Sequence, residues 1–401
     1  MKILLLSNKF PFPLRDGGSI AVYNIARELS ELGHEITLLT MSTPKHRYSS
    51  GNLPDRENVS IRIEQIYVNT EIRILKAFVN FIFSKLPYNA VRFISKKYTH
   101  RLIGLLKETS FDIVQLEGLY LMPYLKIIRQ HSDAIISFRA HNIEHEIWKR
   151  HAGNIANPLI KWYLQLMTNR LKHFEIRALN SYDLLIPITE RDADKFSHLG
   201  NTRPLHVCPA GVKINDKKST DNHVGINALF YIGSLDWMPN QEGLTWFLKK
   251  VWPAVNQRFP TLQFYIAGRN APKQLVRKFK IKNCNYVGEV SNAAEFMKPY
   301  AVMIVPLFSG SGMRIKIIEG MSFGKTVITT TTGAEGLNAT HRKSLLIADT
   351  ADDFINEIIF MINHPEECQK IGKSARKFVE TNFDNSRIIS DLEKFYKLNL
   401  R

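Results

Sequence analysis

The chain is short of cysteine, short of acids relative to bases, and without a long apolar run, and each shortage narrows what it does. Its three cysteines, Cys208, Cys284 and Cys368, are odd in number and far apart in 401 residues. That argues against a disulfide framework and a zinc site, and it fits a reducing cytoplasm. No segment approaches the roughly 20 apolar residues that cross a bilayer. The opening MKILLLSNKF has a short apolar run and then Asn8 and Lys9. It lacks the longer apolar core and cleavage site of a secretory signal and reads as a first buried strand. No GxGxxG spacing follows a strand, which disfavours a dinucleotide cofactor. No Ser-His-Asp or Cys-His arrangement is legible from spacing. RNP-like, KH-like and finger-like spacings are also missing, so no nucleic-acid partner is expected.

Acids number 37 against 54 Lys and Arg, a formal charge of +17. Such an excess attracts nucleic acid, anionic lipid or phosphorylated substrates, and charge alone does not choose. Between residues 71 and 107 eight Lys or Arg accompany a single acid, Glu71, interleaved with Leu75, Phe78, Val79, Ile82 and Phe83. The segment reads either as a basic amphipathic surface for an anionic membrane or as a core-packed helical pair with a solvated basic face.

What is present is an alternation of short apolar strands and helical patterns. The first half offers KILLLS, EITLLT, FDIVQLE, AIISFRA and YDLLIPIT; the second offers ALFYIGS, LQFYIAG, NCNYVGE, AVMIVPL and TVITTT. Consecutive apolar residues mark strands buried on both faces, so each half predicts an α/β unit with a parallel sheet. At this length two domains are expected, facing each other. The polar stretch at 209–225 divides them. We place the domains at 1–213 and 214–383, with a final helix in 384–401 running from about Asn385 to Leu398.

Open α/β sheets bind ligands at the carboxyl ends of their strands. After AVMIVPL comes FSGSG and then a helix, so the backbone N–H groups of Gly310, Ser311 and Gly312 approach a ligand closely. A helix dipole favours an anion there by about 0.3–1 kcal/mol. Charge-assisted hydrogen bonds from Arg314 and Lys316 each add roughly 1.5–3 kcal/mol. The side chains outweigh the dipole, and together they suit a diphosphate. Glu319, further along the helix, suits the vicinal hydroxyls of a ribose. A flexible linker would not sit between a buried strand and a helix carrying Ile315, Ile317 and Ile318. A second strand end, at Gly233, leads through Ser234, Trp237 and Asn240, with Trp237 either stacking on a base or plugging the interdomain surface. A third places Gly17 and Gly18 before a helix capped by Ser19. A fourth follows SFRA with His141, Asn142 and Glu144, and Glu117 ends a neighbouring strand. The one DxD-like string, Asp192 to Asp194, reads as a helix start with acids in its first turn, and no metal is assigned.

With these residues assembled, the sequence resembles the GT-B glycosyltransferases, and within them glycosyltransferase family 4. The GG loop at Gly17–Gly18, HNIE at His141, WMPNQEGLTWF and SGSGMRIKIIEGMSFGKTVITTTTGAEGL carry the resemblance. It implies two Rossmann-like domains across a cleft, and a retaining, metal-independent hexosyltransferase without a cofactor. The donor would be a nucleotide-diphosphate sugar held mainly by the C-terminal domain. Glu319 matches the second Glu of the family's E-x7-E motif, which contacts the ribose; Ser311 stands where the first Glu would be. The loop GSLDWMPN has Ser234 and Pro239–Asn240 where members often carry Arg and Lys, so Arg314 and Lys316 are expected to supply that charge. His141 would hold a sugar hydroxyl. The acceptor would be a glycan or lipid-linked glycan on the N-terminal side, in surface polysaccharide biosynthesis at the cytoplasmic face of the membrane. A sugar-nucleotide epimerase and a polyanion-binding protein are the competing readings.

Overall fold

The computed structural model describes residues 1–12, 17–44, 61–153, 155, 157–214, 225–310 and 312–400. The chain forms two compact units, Met1–Ala210 with Ser386–Arg401, and Gly211–Asn385. Each is built on a six-stranded, all-parallel sheet.

The first sheet contains β1 (Lys2–Ser7), β2 (Glu35–Ser42), β3 (Ile61–Tyr67), β4 (Ile113–Glu117), β5 (Ile135–Ala140) and β6 (Leu184–Pro187), in the order β3-β2-β1-β4-β5-β6. Alternation along β1 explains its unbroken apolar run. Leu4 and Leu6 join one core layer with Tyr98, Leu102 and Leu105, while Ile3 and Leu5 join the opposite layer with Val22, Ile25 and Leu29. That opposite layer is completed by the last helix, Asn385–Asn399, through Ile389, Leu392 and Tyr396.

The second sheet contains β7 (Ala228–Ile232), β8 (Gln263–Ala267), β9 (Cys284–Gly288), β10 (Val302–Val305), β11 (Thr326–Thr329) and β12 (Leu346–Ile347), in the order β12-β11-β10-β7-β8-β9. Counted from its own first strand, this is the same topology as the first sheet. The order reverses between β1 and β4 in one unit, and between β7 and β10 in the other.

The units divide at 210/211 and 385/386 rather than at 213/214 and 383/384. A local backbone pairing explains the shift. The Val212 N–H donates to the Phe383 carbonyl at 2.9 Å, and the Asn385 N–H donates back to the Val212 carbonyl at 3.1 Å. Val212, which the expected boundary assigned to the first domain, and Asn385, which it assigned to the final helix, are thereby tied into the second unit. Among the described residues, no helix is long and apolar enough to cross a membrane.

Candidate active site

The topological reversal in the second sheet brings the exits of β7 and β10 side by side. The helix Met238–Lys250, which follows β7, carries Gly243 against the exit of β10. A Cβ at Gly243 would stand 1.6 Å from the Pro306 carbonyl oxygen, so only glycine lets helix and strand end meet this closely. The chain then passes Gly310 and Gly312, whose φ angles are 105° and 77°, and enters the helix Ile315–Ser322. Helical geometry therefore begins three residues beyond Gly312. The two glycines shape the loop before the helix rather than forming its first turn. Ser311 lies outside the described residues.

A Cβ on Gly310 would also lie 2.9 Å from the Trp237 ring. Gly310→Ala is accordingly expected to cost about 1–3 kcal/mol of stability through backbone strain alone. A melting curve checks this, and an unchanged melting temperature would mean that the loop relaxes without penalty.

Trp237 has a task in its own unit that the sequence did not show. Its indole packs on Gly310, and the Arg314 guanidinium sits 5.5 Å from the ring centroid. Arg314 is the buried N-cap residue of the helix, and its Nη1 donates to the Gly312 carbonyl at 2.9 Å. Loop, indole and guanidinium thus brace one another.

Lys316 points back to the exit of β7. Its Nζ donates to Asn240 Oδ1 at 2.7 Å and to Tyr231 Oη at 3.1 Å, and lies 4.6 Å from the Tyr231 ring centroid. Burial, with Arg314 nearby, brings the ammonium down to about 7. Asn240 was expected to meet a ligand, but both of its polar ends are engaged. Nδ2 donates to the Ser234 carbonyl at 2.7 Å while Oδ1 holds Lys316, so this buried side chain positions the lysine. Ser234 donates its hydroxyl to Asp236 at 2.7 Å and accepts from Arg269 Nε at 2.9 Å. Arg269, just beyond β8, is a basic residue of this site that the sequence reading missed. Its signal was its place after LQFYIAG, at yet another strand end.

Glu319 lies four residues into the same helix. Burial pushes its carboxyl up to about 7, and among the described residues no side chain or backbone group hydrogen-bonds to it. The second unit therefore presents a guanidinium and a lysine beside a glycine loop and, one helical turn on, a buried carboxyl group.

In the first unit, Glu117 and Arg139 are paired in register on β4 and β5, and His141 follows β5. Glu117 Oε2 accepts from His141 Nε2 at 2.7 Å and from Arg139 Nη1 at 3.2 Å. Gln115 also donates to this carboxylate, and Tyr396 of the last helix donates to Gln115. Burial by itself would raise the Glu117 carboxyl. The Arg139 charge and the hydrogen bonds from His141 and Gln115 outweigh it and bring Glu117 to about 2. Burial holds His141 below its ordinary value, hence neutral near pH 7. With Nε2–H committed to Glu117, Nδ1 is the acceptor of the ring. Gln115, Arg139 and Tyr396 were not legible as site residues, because strand alternation and a remote helix supply them.

The other residues expected in the first unit lie outside the Glu117 network. Glu144 accepts from Tyr120 Oη at 2.7 Å, and burial pushes its carboxyl up to about 7. It opens the helix Glu144–Gly153, whose first N–H groups donate to Glu175. Asn142 is half-buried between His141 and that helix. Gly17 and Gly18 are the first two residues of the helix Gly17–Glu31 rather than a loop before it, so Ser19 sits inside the first turn and does not cap it. Asp192 and Asp194 lie in the helix Glu190–His198, capped by Thr189. Among the described residues, no three His, Cys, Asp or Glu side chains are grouped to hold a metal ion.

Comparison with known proteins resolves the family. A family model described as Glycosyltransferase Family 4 matches residues 15–216. The chain belongs to glycosyltransferase family 4. A second model, described as Glycosyl transferases group 1, matches residues 226–364 of this family 4 chain, which is thus a glycosyltransferase in both units. An uncharacterized 44.6 kDa protein in the cps region of Klebsiella pneumoniae is 24% identical over 98% of the chain and 99% of its own length. Sucrose-phosphate synthase from Thermosynechococcus elongatus superposes with a TM-score of 0.70 at 16% identity, over 99% of this chain and 98% of the other. Anabaena HepE, solved in complex with UDP, superposes with a TM-score of 0.69 at 12% identity, over 99% and 100%. These solved structures establish the GT-B fold of the family 4 chain.

Proposed function

We propose that the chain is a retaining, metal-independent hexosyltransferase that takes a sugar from a nucleotide diphosphate and adds it to a glycan or lipid-linked acceptor in surface polysaccharide biosynthesis. The observation that carries this reading is the arrangement at the exit of β10. Arg314 and Lys316 lie beside the Gly310 loop, with the carboxylate of Glu319 one turn further on. The cations face the diphosphate, and the carboxylate accepts both ribose hydroxyls. As the bond from the anomeric carbon to the leaving oxygen breaks, charge accumulates on the diphosphate. Arg314 and Lys316 stabilise it without a divalent cation. His141 Nδ1 accepts from a sugar hydroxyl, while Glu117 fixes the tautomer. HepE, which binds UDP and UDP-glucose, and the relative in a cps region support the donor and pathway parts of the proposal.

A thermal-shift panel of UDP, GDP, ADP and their sugar conjugates, with and without EDTA, tests the donor reading. A ligand that binds only the native state raises the melting temperature by mass action. One nucleoside diphosphate should stand out, unaffected by EDTA. A flat panel would remove the basis for the proposal, and dependence on a divalent ion would remove its metal-independent part. Product analysis by NMR then reads retention from the anomeric coupling.

A further inference from the structure

The helix Ile74–Phe83 is patterned inside out. Its inward positions include Ala77 and Asn80, both buried, with Asn80 Nδ2 donating to the Leu86 carbonyl at 3.2 Å. Its outward positions are large and apolar: Leu75 is 76% exposed, Phe78 57%, Ile82 54% and Phe83 82%. A water-facing helix should carry these residues on its other side. The surface is enlarged by the start of the helix Pro158–Ala178, where Leu159 and Trp162 are also exposed. The two helices are held together. Phe81 and Tyr163 rings lie 5.9 Å apart, and Arg170 Nη1 donates to the Phe81 carbonyl at 3.0 Å. Both belong to the first unit.

Charge selects what covers this face. Residues 72–107 and 157–174 contain no Asp or Glu, and Arg73, Lys76 and Lys85 are exposed in or beside the apolar helix. A second copy paired through the same patch about a two-fold axis would bring these cations against one another. An anionic bilayer meets both features, because its headgroups attract the cations and its acyl boundary takes the apolar side chains. We infer that the faces of these two helices form a docking surface for an anionic phospholipid bilayer, with the aromatic and aliphatic side chains inserted and the lysines at the headgroups. Of the two readings that the sequence left open for residues 71–107, the core-packed one holds for 88–107, where Tyr98, Leu102 and Leu105 are buried. The exposed face of Ile74–Phe83 carries the membrane reading and is extended by Leu159 and Trp162, which the sequence reading did not include.

This deepens the lipid-linked acceptor reading, but it is tested without donor or acceptor, so either idea fails alone. The full chain is floated with vesicles of phosphatidylcholine, and of phosphatidylcholine with phosphatidylglycerol, at low and high salt. It should float with the anionic vesicles and at least tenfold less with the neutral ones. The triple variant Phe78→Ser, Phe83→Ser, Trp162→Ser should bind anionic vesicles at least tenfold more weakly at low salt. Its melting temperature and its response to nucleotides should not change, since the substituted side chains are exposed. Absence of flotation by the wild-type chain overturns the inference. Flotation undiminished in the triple variant also does, by assigning binding to charge elsewhere on the molecule. Self-association in place of flotation, abolished by the same variant, would assign the face to a second copy and overturn it equally.

Discussion

Lys316→Met is expected to lower kcat/KM for the sugar nucleotide by about 10²–10³-fold, the usual cost of removing one donor from a preorganised site of developing charge. The prediction extends to pH. In the free chain Lys316 has come down from 10.5 to about 7, whereas Glu319 has risen from 4.5 to about 7. A diphosphate binds the protonated lysine, so affinity should fall as pH rises above about 7. A ribose diol binds the ionised carboxylate, so affinity should also fall as pH drops below about 7. Binding is therefore greatest near neutrality, and each variant removes one limb. Lys316→Met should flatten the alkaline limb, and Glu319→Gln should flatten the acid limb while weakening binding about 10- to 100-fold, the worth of one charged hydrogen bond. Calorimetry with an intact sugar nucleotide, whose diphosphate is esterified at both ends and does not titrate here, reads both limbs. A single limb that survives in both variants would place the titrating group elsewhere. The same shifts act on folding with opposite signs. The unfolded chain holds the lysine proton from about 7 to 10.5, so this group makes stability rise with pH across that window. The folded chain holds the Glu319 proton from 4.5 to about 7, so that group makes stability fall with pH there.

How far such a site was legible from sequence depended on what kind of signal each residue left. Ten strands announce themselves by apolar runs, most of them because burial on both faces of a parallel sheet demands them; β9, half-exposed at an edge, is the exception. β3 escaped, since IRIEQIY lies at an edge and alternates Ile with Arg62, Glu64 and Gln65 on a half-exposed face. β12 is only two residues long and carries no periodicity. Arg314, Lys316 and Glu319 were legible because they follow a strand and a glycine loop within a few residues of chain. Asn240 was legible as a site position, but its role was not. Whether an amide meets a ligand or holds a lysine depends on the partner brought to it across the fold, here from 76 residues away. Tyr396 was invisible for the same reason, whereas Arg269 left a signal in its place just beyond β8 that went unread. The helix Ile74–Phe83 was visible as basic and apolar, but only the packed structure showed which of its faces was buried.

Glu117→Ala should be the most destabilising single change at the candidate site. Arg139 is fully buried, and Glu117 is its carboxylate partner in this network. Removing one member of a buried pair leaves an uncompensated charge and costs about 3–5 kcal/mol. For a unit of this size that lowers the melting temperature by about 6–20 °C. His141→Ala removes no buried charge, because burial keeps His141 neutral. It should cost less than Glu117→Ala, about 1.5–3 kcal/mol for the lost hydrogen bond to the buried carboxylate, while reducing kcat/KM by about 2- to 13-fold, the worth of a neutral hydrogen bond to a sugar hydroxyl. The acid behaviour separates the two residues. Glu117 falls from 4.5 unfolded to about 2 folded, so its contribution is intact above 4.5 and is lost as pH falls toward 2. His141 lies below 6.5 when folded, so its contribution is intact above 6.5 and begins to be lost as pH falls through that value. Subtracting the stability profile of Glu117→Gln from that of the wild type should isolate the lower window, and the same subtraction with His141→Ala the upper one. A Glu117→Ala chain that melts like the wild type would mean that Arg139 finds its compensation in another group. His141 would then be held by something other than the strand pair, and its tautomer would no longer follow from Glu117.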